Sequence, residues 1–166
     1  MHMLSPRPNL LYLVHRFPYP PNRGDRIRSF HLLDFLAQRA NVYLGTLADE
    51  AETDEAQKEL AARCHSVEVR SLGPARWFHA ATSIAKGNSA TEGLFWNRSL
   101  KGAIRRWAAE TRFDLAVVFC SSMVPYLLVP ELRNVAAIVD LVDVDSQKWF
   151  DYAAQSLGLR KRLFEL

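Results

Sequence analysis

Apolar residues in this chain come in short blocks, and the spacing inside the blocks changes along the sequence. Residues 10–14 (LLYLV) form an unbroken apolar run, as in a parallel strand covered on both faces. The run stops at His15, and Pro18, Pro20, Pro21 and Gly24 then exclude regular structure. From Asp25 the period becomes helical: Ile27, Phe30, Leu33 and Ala37 form one stripe, widened by Leu36. Asp25 suits a first turn, where a negative charge meets the positive end of the helix dipole.

The same reading predicts a second strand over 42–47, then an acidic turn over 49–54 that leads into a helix ending near Arg63. Residues 67–70 alternate, as in a less buried third strand. A helix over 101–111 precedes a strand over 115–120, and another strand follows over 136–140. Residues from Ser146 onward read as a last helix, with Ser146 as its cap. Strands alternating with helices at these spacings predict an α/β fold, a Rossmann-like open and mainly parallel sheet with helices on both faces. Residues 1–166 read as one such domain.

Composition narrows the class. An apolar fraction of 49% with 23% charged residues is ordinary for a globular domain, so disorder is not expected. No stretch approaches the roughly 18 apolar residues that cross a bilayer. The run at 10–14 is too short for the apolar core of a secretory signal, and a cytoplasmic location is therefore expected. Cys64 and Cys120 are far apart and lack a CxxC partner, which argues against a metal site or a disulfide framework. Cys120 reads as a small buried hydrophobe at the end of its strand. A net charge of +3, without a recognition-helix or zinc-finger pattern, gives no reason to expect nucleic acid as a partner.

In open α/β sheets, ligands bind beyond the carboxyl ends of the strands. After the first strand, residues 15–28 carry Arg16, Arg23, Arg26 and Arg28 against the single carboxylate of Asp25. A glycine before a helix, here Gly24, lets backbone N–H groups approach an anion, and guanidinium groups grip phosphate in a bidentate fashion. This loop is the best candidate for contact with a phosphate or charged sugar, although a surface turn with solvated arginines also fits. It is neither a P-loop nor a dinucleotide fingerprint. Asp140 ends the strand over 136–140 and Asp143 and Asp145 follow it; the three suit a metal, a sugar hydroxyl or, for Asp145 and Ser146, a helix cap. Ser121 and Ser122 stand at the same rim without a GxSxG elbow.

Residues 73–107 depart from βαβ spacing and hold Trp77, Trp96 and Trp107. Trp77, Ala81 and Ile84 share one helical face with basic residues at both ends, and Phe78 adjoins Trp77. Packing on the sheet is the simpler reading, and contact with a membrane interface through Trp77 and Phe78 is the alternative. Asn97-Arg98-Ser99 matches a glycosylation sequon, a chance match for a cytoplasmic chain.

The stretch LLYLVHRFPYPPNRGDRIRSFHLLDFLAQRANVYLGTL (10–47) resembles the opening of GT-B sugar transferases of the glycosyltransferase family 4-like group. It is most similar to the bacterial sugar transferases associated with PEP-CTERM exopolysaccharide systems. The segment AAIVDLVDVDSQKWFDYA (136–153) resembles a second block of that family, and the likeness is weak over 73–101. The resemblance implies a two-domain enzyme whose amino-terminal half binds a sugar or lipid-linked acceptor and whose carboxyl-terminal half holds the nucleotide-sugar donor. Such donor halves carry Glu-x7-Glu, a spacing that no glutamate pair here has, and the sequence stops within a helical pattern. The donor-binding domain is therefore expected beyond residue 166, and this part alone is expected to be inactive.

By the same resemblance Gly24 lies near the donor phosphates, Arg26 and Arg28 stand on the helix behind it, and Asp143 faces the cleft. No metal or other cofactor is implied. The expected function is transfer of a sugar, with retention, from a nucleotide-sugar to an exopolysaccharide or lipid-linked acceptor at the inner face of the cytoplasmic membrane. Arg26, Asp143 and His15 are the catalytic candidates. Gly24, Arg16, Arg23 and Arg28 are candidates for the phosphates, and Asp140 and Ser121 for the acceptor. A stand-alone module binding an anionic sugar or nucleotide without catalysis is the alternative.

Overall fold

A computed structural model of the protein describes residues 7–49 and 53–141. Five strands form one sheet: β1 (Asn9–Val14), β2 (Asn41–Ala48), β3 (Ser66–Ser71), β4 (Leu115–Phe119) and β5 (Ala137–Asp140). Their order is β3-β2-β1-β4-β5, and all pairings are parallel. Five helices connect them: α1 (Gly24–Ala37), α2 (Asp54–Arg63), α3 (Arg76–Ala85), α4 (Ala90–Leu94) and α5 (Arg98–Glu110). Short 3-10 helices follow β4 at Ser121–Tyr126 and Pro130–Leu132. The fold is the expected Rossmann-like α/β sheet.

β1 is apolar throughout because it is the central strand. Leu10, Tyr12 and Val14 enter one core with Phe30 and Leu33 of α1 and Leu60 of α2. Leu11 and Leu13 enter the opposite core with Leu100 and Ile104 of α5. Tyr12 is fully buried and donates its hydroxyl to the Ser29 carbonyl at 3.1 Å, which ties α1 to the sheet. Burial of that ring, more than the nearby Asp140 carboxylate, pushes its phenol well above the ordinary range.

The α1 stripe is the one expected except at its first position: Phe30 and Leu33 are buried, and Leu36 and Ala37 pack against the same core. Ser29, Phe30 and Leu33 are its buried residues, and Ile27 is 42% exposed. Ile27 stands in the first turn, whereas the buried Ser29 hydroxyl is satisfied by donating back to the Asp25 and Arg26 carbonyls. α5 starts earlier than expected, at Arg98, because Asn97 caps it by accepting from the Leu100 N–H at 3.0 Å. The Asn97 amide also donates to the Ser71 carbonyl, so the sequon asparagine is occupied structurally. Trp77 and Phe78 do not pack on the sheet; they are 65% and 70% exposed.

Candidate functional site

Parallel register brings the carboxyl ends of the strands into one row. Thr46 pairs with Val14, Val14 with Phe119, and Phe119 with Asp140. The residues that follow therefore converge on one rim: His15 and Arg16 after β1, Asp49 after β2, Cys120 and Ser121 after β4. α1 begins at this rim. The chain leaves β1 towards β2 on one side of the sheet and reaches β4 on the other, which makes the β1–β4 crevice the switch point of the sheet.

His15 occupies that crevice. Its ring lies 11° from parallel to Phe119 at 6.0 Å and meets Phe95 edge-on at 5.4 Å. Burial, reinforced by the Arg16 charge, pushes its pKa down to about 4, against smaller upward pulls from Asp25, the Phe119 backbone and Asp49. The ring is therefore neutral at pH 7. Nε2 stands 3.9 Å from Asp25, and Nδ1 is buried without a well-formed hydrogen bond among the described residues. A neutral ring with an adjacent carboxylate can accept a hydrogen bond from a hydroxyl and have developing positive charge offset.

Four arginines against one carboxylate is the local count along the loop, and the fold changes it. Arg16 pairs with Asp25 at 3.2 Å and lies 3.4 Å from Asp49, close enough for attraction but not aligned for a hydrogen bond. Asp49 also takes Arg76 at 2.9 Å, which links α3 to the rim. Arg28 donates to Asp140 at 2.7 Å and stands over the Phe119 ring. A phosphate candidate and an acceptor candidate are thus ion-paired with each other. Burial raises the Asp25 carboxyl, but its bond from the Arg26 N–H and the Arg16 charge outweigh this and hold it below the ordinary value.

Arg23 and Arg26 have no ion pair among the described residues. Arg23 is exposed at the N-cap of α1 and makes no side-chain capping bond there. The half-buried Arg26 has its Nε enclosed and without a hydrogen-bond partner among the described residues. The first-turn N–H groups of a helix lack intrahelical partners, so this end is a natural place for an anion. A Cβ at Gly24 would meet nothing within 4 Å, so the fold itself does not require glycine there.

Ser121 opens the 3-10 helix beside the rim, and Asp140 ends β5 across from Phe119. Asp143, Asp145 and Ser146 lie outside the described residues. Among the described residues no group of His, Cys, Asp or Glu is arranged to hold a metal ion.

Two residues of the rim were not expected there. Asp49 reads there as part of an acidic turn, yet it directly follows β2 and so stands at the carboxyl rim. Cys120 is not the buried strand residue expected. It is half-exposed, with φ 84° and ψ 139°, a conformation side chains rarely adopt. Its N–H donates to the Asp140 carbonyl at 2.8 Å, and its own carbonyl accepts from Met123 at 3.1 Å. These two bonds hold the sharp turn out of β4. A strained residue at a strand exit had no signal in the sequence.

Two roomy concavities lie elsewhere. One of about 570 Å³ is lined by Phe113, Asp114 and Ala136, at the amino ends of β4 and β5, the wrong end of the sheet for a ligand. The other, of about 590 Å³, lies between α3, α4 and residues 124–128. Compared with models of protein families, with curated proteins and with solved structures, the chain matches none of them.

Proposed function

We propose that this domain is the acceptor-side half of a retaining glycosyltransferase that moves a sugar from a nucleotide-sugar to an exopolysaccharide or lipid-linked acceptor on the cytoplasmic side of the membrane. One observation supports the reading: neutral His15 lies in the β1–β4 crevice beside the N-terminus of α1, with Arg23 and Arg26 outside any ion pair among the described residues. An acceptor hydroxyl is held by His15, with Asp25 behind it. The departing diphosphate is stabilised by Arg26, Arg23 and the Gly24 and Asp25 N–H groups at the start of α1, the Arg26 N–H being taken by Asp25, while Arg16 and Arg28 tune the field through their aspartates. Asp143 is carried by the sequence resemblance as a further acceptor contact, with Ser121 and Asp140 at the same rim. The donor-binding half belongs, in this reading, to a second domain, and the chain here forms one wall of the cleft.

The test is an amide-resolved titration of the 166-residue chain with uridine diphosphate. Weak binding, with a Kd of about a millimolar, is expected to move the Gly24, Asp25 and Arg26 signals, and Arg26→Ala and Gly24→Val are expected to abolish the shifts. Gly24→Val keeps the fold, since its Cβ meets open space. In an enzyme that also carries the donor half, the same changes are expected to lower turnover about a hundredfold. Unchanged shifts and unchanged turnover in both variants would overturn the assignment. Micromolar binding by the chain alone would instead favour a self-contained binding module.

A further inference from the structure

The groove between α3, α4 and residues 124–128 has two unlike sides. Its α3–α4 side presents His79, Lys86, Asn88 and Glu92, and its facing side is Pro125 and Leu128. Trp96, which stacks on Tyr126, joins the apolar side. Both sides are held from within. Gly93 of α4 lies so close to α3 that an added Cβ would fall 2.3 Å from the His79 carbonyl oxygen. Ser83 donates to the Ser89 carbonyl at 2.8 Å and ties the turn between the two helices.

Trp96 is the most firmly placed of the lining residues. The fully buried Tyr126 donates its hydroxyl to the Phe95 carbonyl at 2.6 Å and accepts the Asn97 N–H at 2.7 Å. One hydroxyl thus fixes the backbone on either side of Trp96, while the Tyr126 ring backs the indole at 5.8 Å and 22°. Lys101, on a flexible stem, stands 4.9 Å over the same ring. The polar side is left open by contrast. Among the described residues the side chains of His79, Lys86, Asn88 and Glu92 make no hydrogen bond and no ion pair. A volume of about 590 Å³ falls within the roughly 300–1,000 Å³ of small-molecule sites. A firm aromatic and a few convergent polar groups are the usual furniture of such a site.

The chemistry of the lining selects the ligand class. Lys86 and Glu92 are its two charged residues, and their charges cancel, so the groove does not favour a phosphate as the start of α1 does. Lys86 donates, Glu92 accepts and Asn88 does both. Hydroxyl groups, which also do both, suit that mixture, and the C–H face of a sugar ring suits Trp96 and Leu128 opposite. We propose that this groove binds a short neutral oligosaccharide, with Trp96 as its apolar anchor and Lys86, Asn88 and Glu92 as partners of its hydroxyls. This binding is independent of the chemistry assigned to the rim.

Amide-resolved titration of the 166-residue chain with maltotriose, cellotriose and chitotriose tests it. At least one of the three is expected to bind with a Kd of about a millimolar or tighter. The shifts are expected at Asn88, Glu92 and Trp96, with Gly24, Asp25 and Arg26 unmoved. Trp96→Ala is expected to weaken binding about tenfold. Lys86→Ala/Asn88→Ala removes two exposed side chains that hold nothing in place among the described residues, so it reads the polar side should the first variant fold poorly. It is also expected to weaken binding about tenfold. Absence of binding by all three sugars, or an affinity unchanged in the lysine–asparagine variant, would overturn the proposal. So would sugar shifts confined to residues 24–26, which would put the ligand at the rim, or displacement of the sugar from the groove by uridine diphosphate.

Discussion

A histidine in water is half-protonated near pH 6.5, and the fold moves His15 to about 4. The unfolded chain therefore holds a proton on this ring across a window in which the folded protein does not. Between pH 6.5 and 4 the unfolded state binds the extra proton, so stability is full above 6.5 and falls as pH drops towards 4. The loss at the foot of the window is on the order of 3 kcal/mol. His15→Phe is expected to flatten this part of the profile, measured by urea unfolding at a series of pH values. An unchanged slope would assign the effect to another group. Asp25 acts in a different window: its lowered pKa keeps its contribution until the pH falls below the ordinary carboxylate range. His15 and the loop arginines were legible as rim residues because they directly follow a clear strand. Their pairing was not, since Asp49 and Asp140 come from other strands and approach only when the sheet forms.

For the elements, the decisive quantity is how closely backbones approach. Gly93→Ala adds a methyl group that overlaps backbone atoms of His79 and Ala80, and neither can swing aside as a side chain would. The gain in helix propensity is about 1 kcal/mol, and the clash is expected to outweigh it by about 2 kcal/mol or more. Gly24→Ala, with open space around it, is expected to leave stability unchanged or slightly higher. Thermal melts of the two variants check the contrast, and equal melting temperatures would refute it. Period alone located α1 and α2 well. It found the face of α1 apart from Ile27, and in α3 it found the apolar face but not its direction, because periodicity does not say which face meets the sheet.

Across the whole molecule, β1 divides two cores, and Leu13 couples one of them to β2. Its Cδ2 fills the space that Gly45 leaves, where an added Cβ would come within 2.8 Å of it. Leu13→Ala is expected to cost about 3–4 kcal/mol, seen together by tryptophan fluorescence and circular dichroism because a single sheet unfolds as a unit. Gly45→Ala is expected to be mildly destabilising in the wild type, since its methyl must displace the end of the Leu13 side chain, and less so in the Leu13→Ala background, where the space is free. A double-mutant cycle measures that coupling, and strict additivity would show that the two residues do not share the space.

The sequence by itself determined the class of fold, since continuous apolar strands separated by helical periods leave a parallel sheet as the way to bury both faces. It also determined the rim, because strand exits lie at one end of such a sheet. Tertiary structure decided what those exits do to one another: which arginines are neutralised, that His15 loses its proton between Phe119 and Phe95, and that Cys120 turns through a strained conformation. It also decided that α3 shows its aromatics to the outside. Each of these depends on groups distant in sequence, whose charges and volumes act only at the few ångströms that folding brings about.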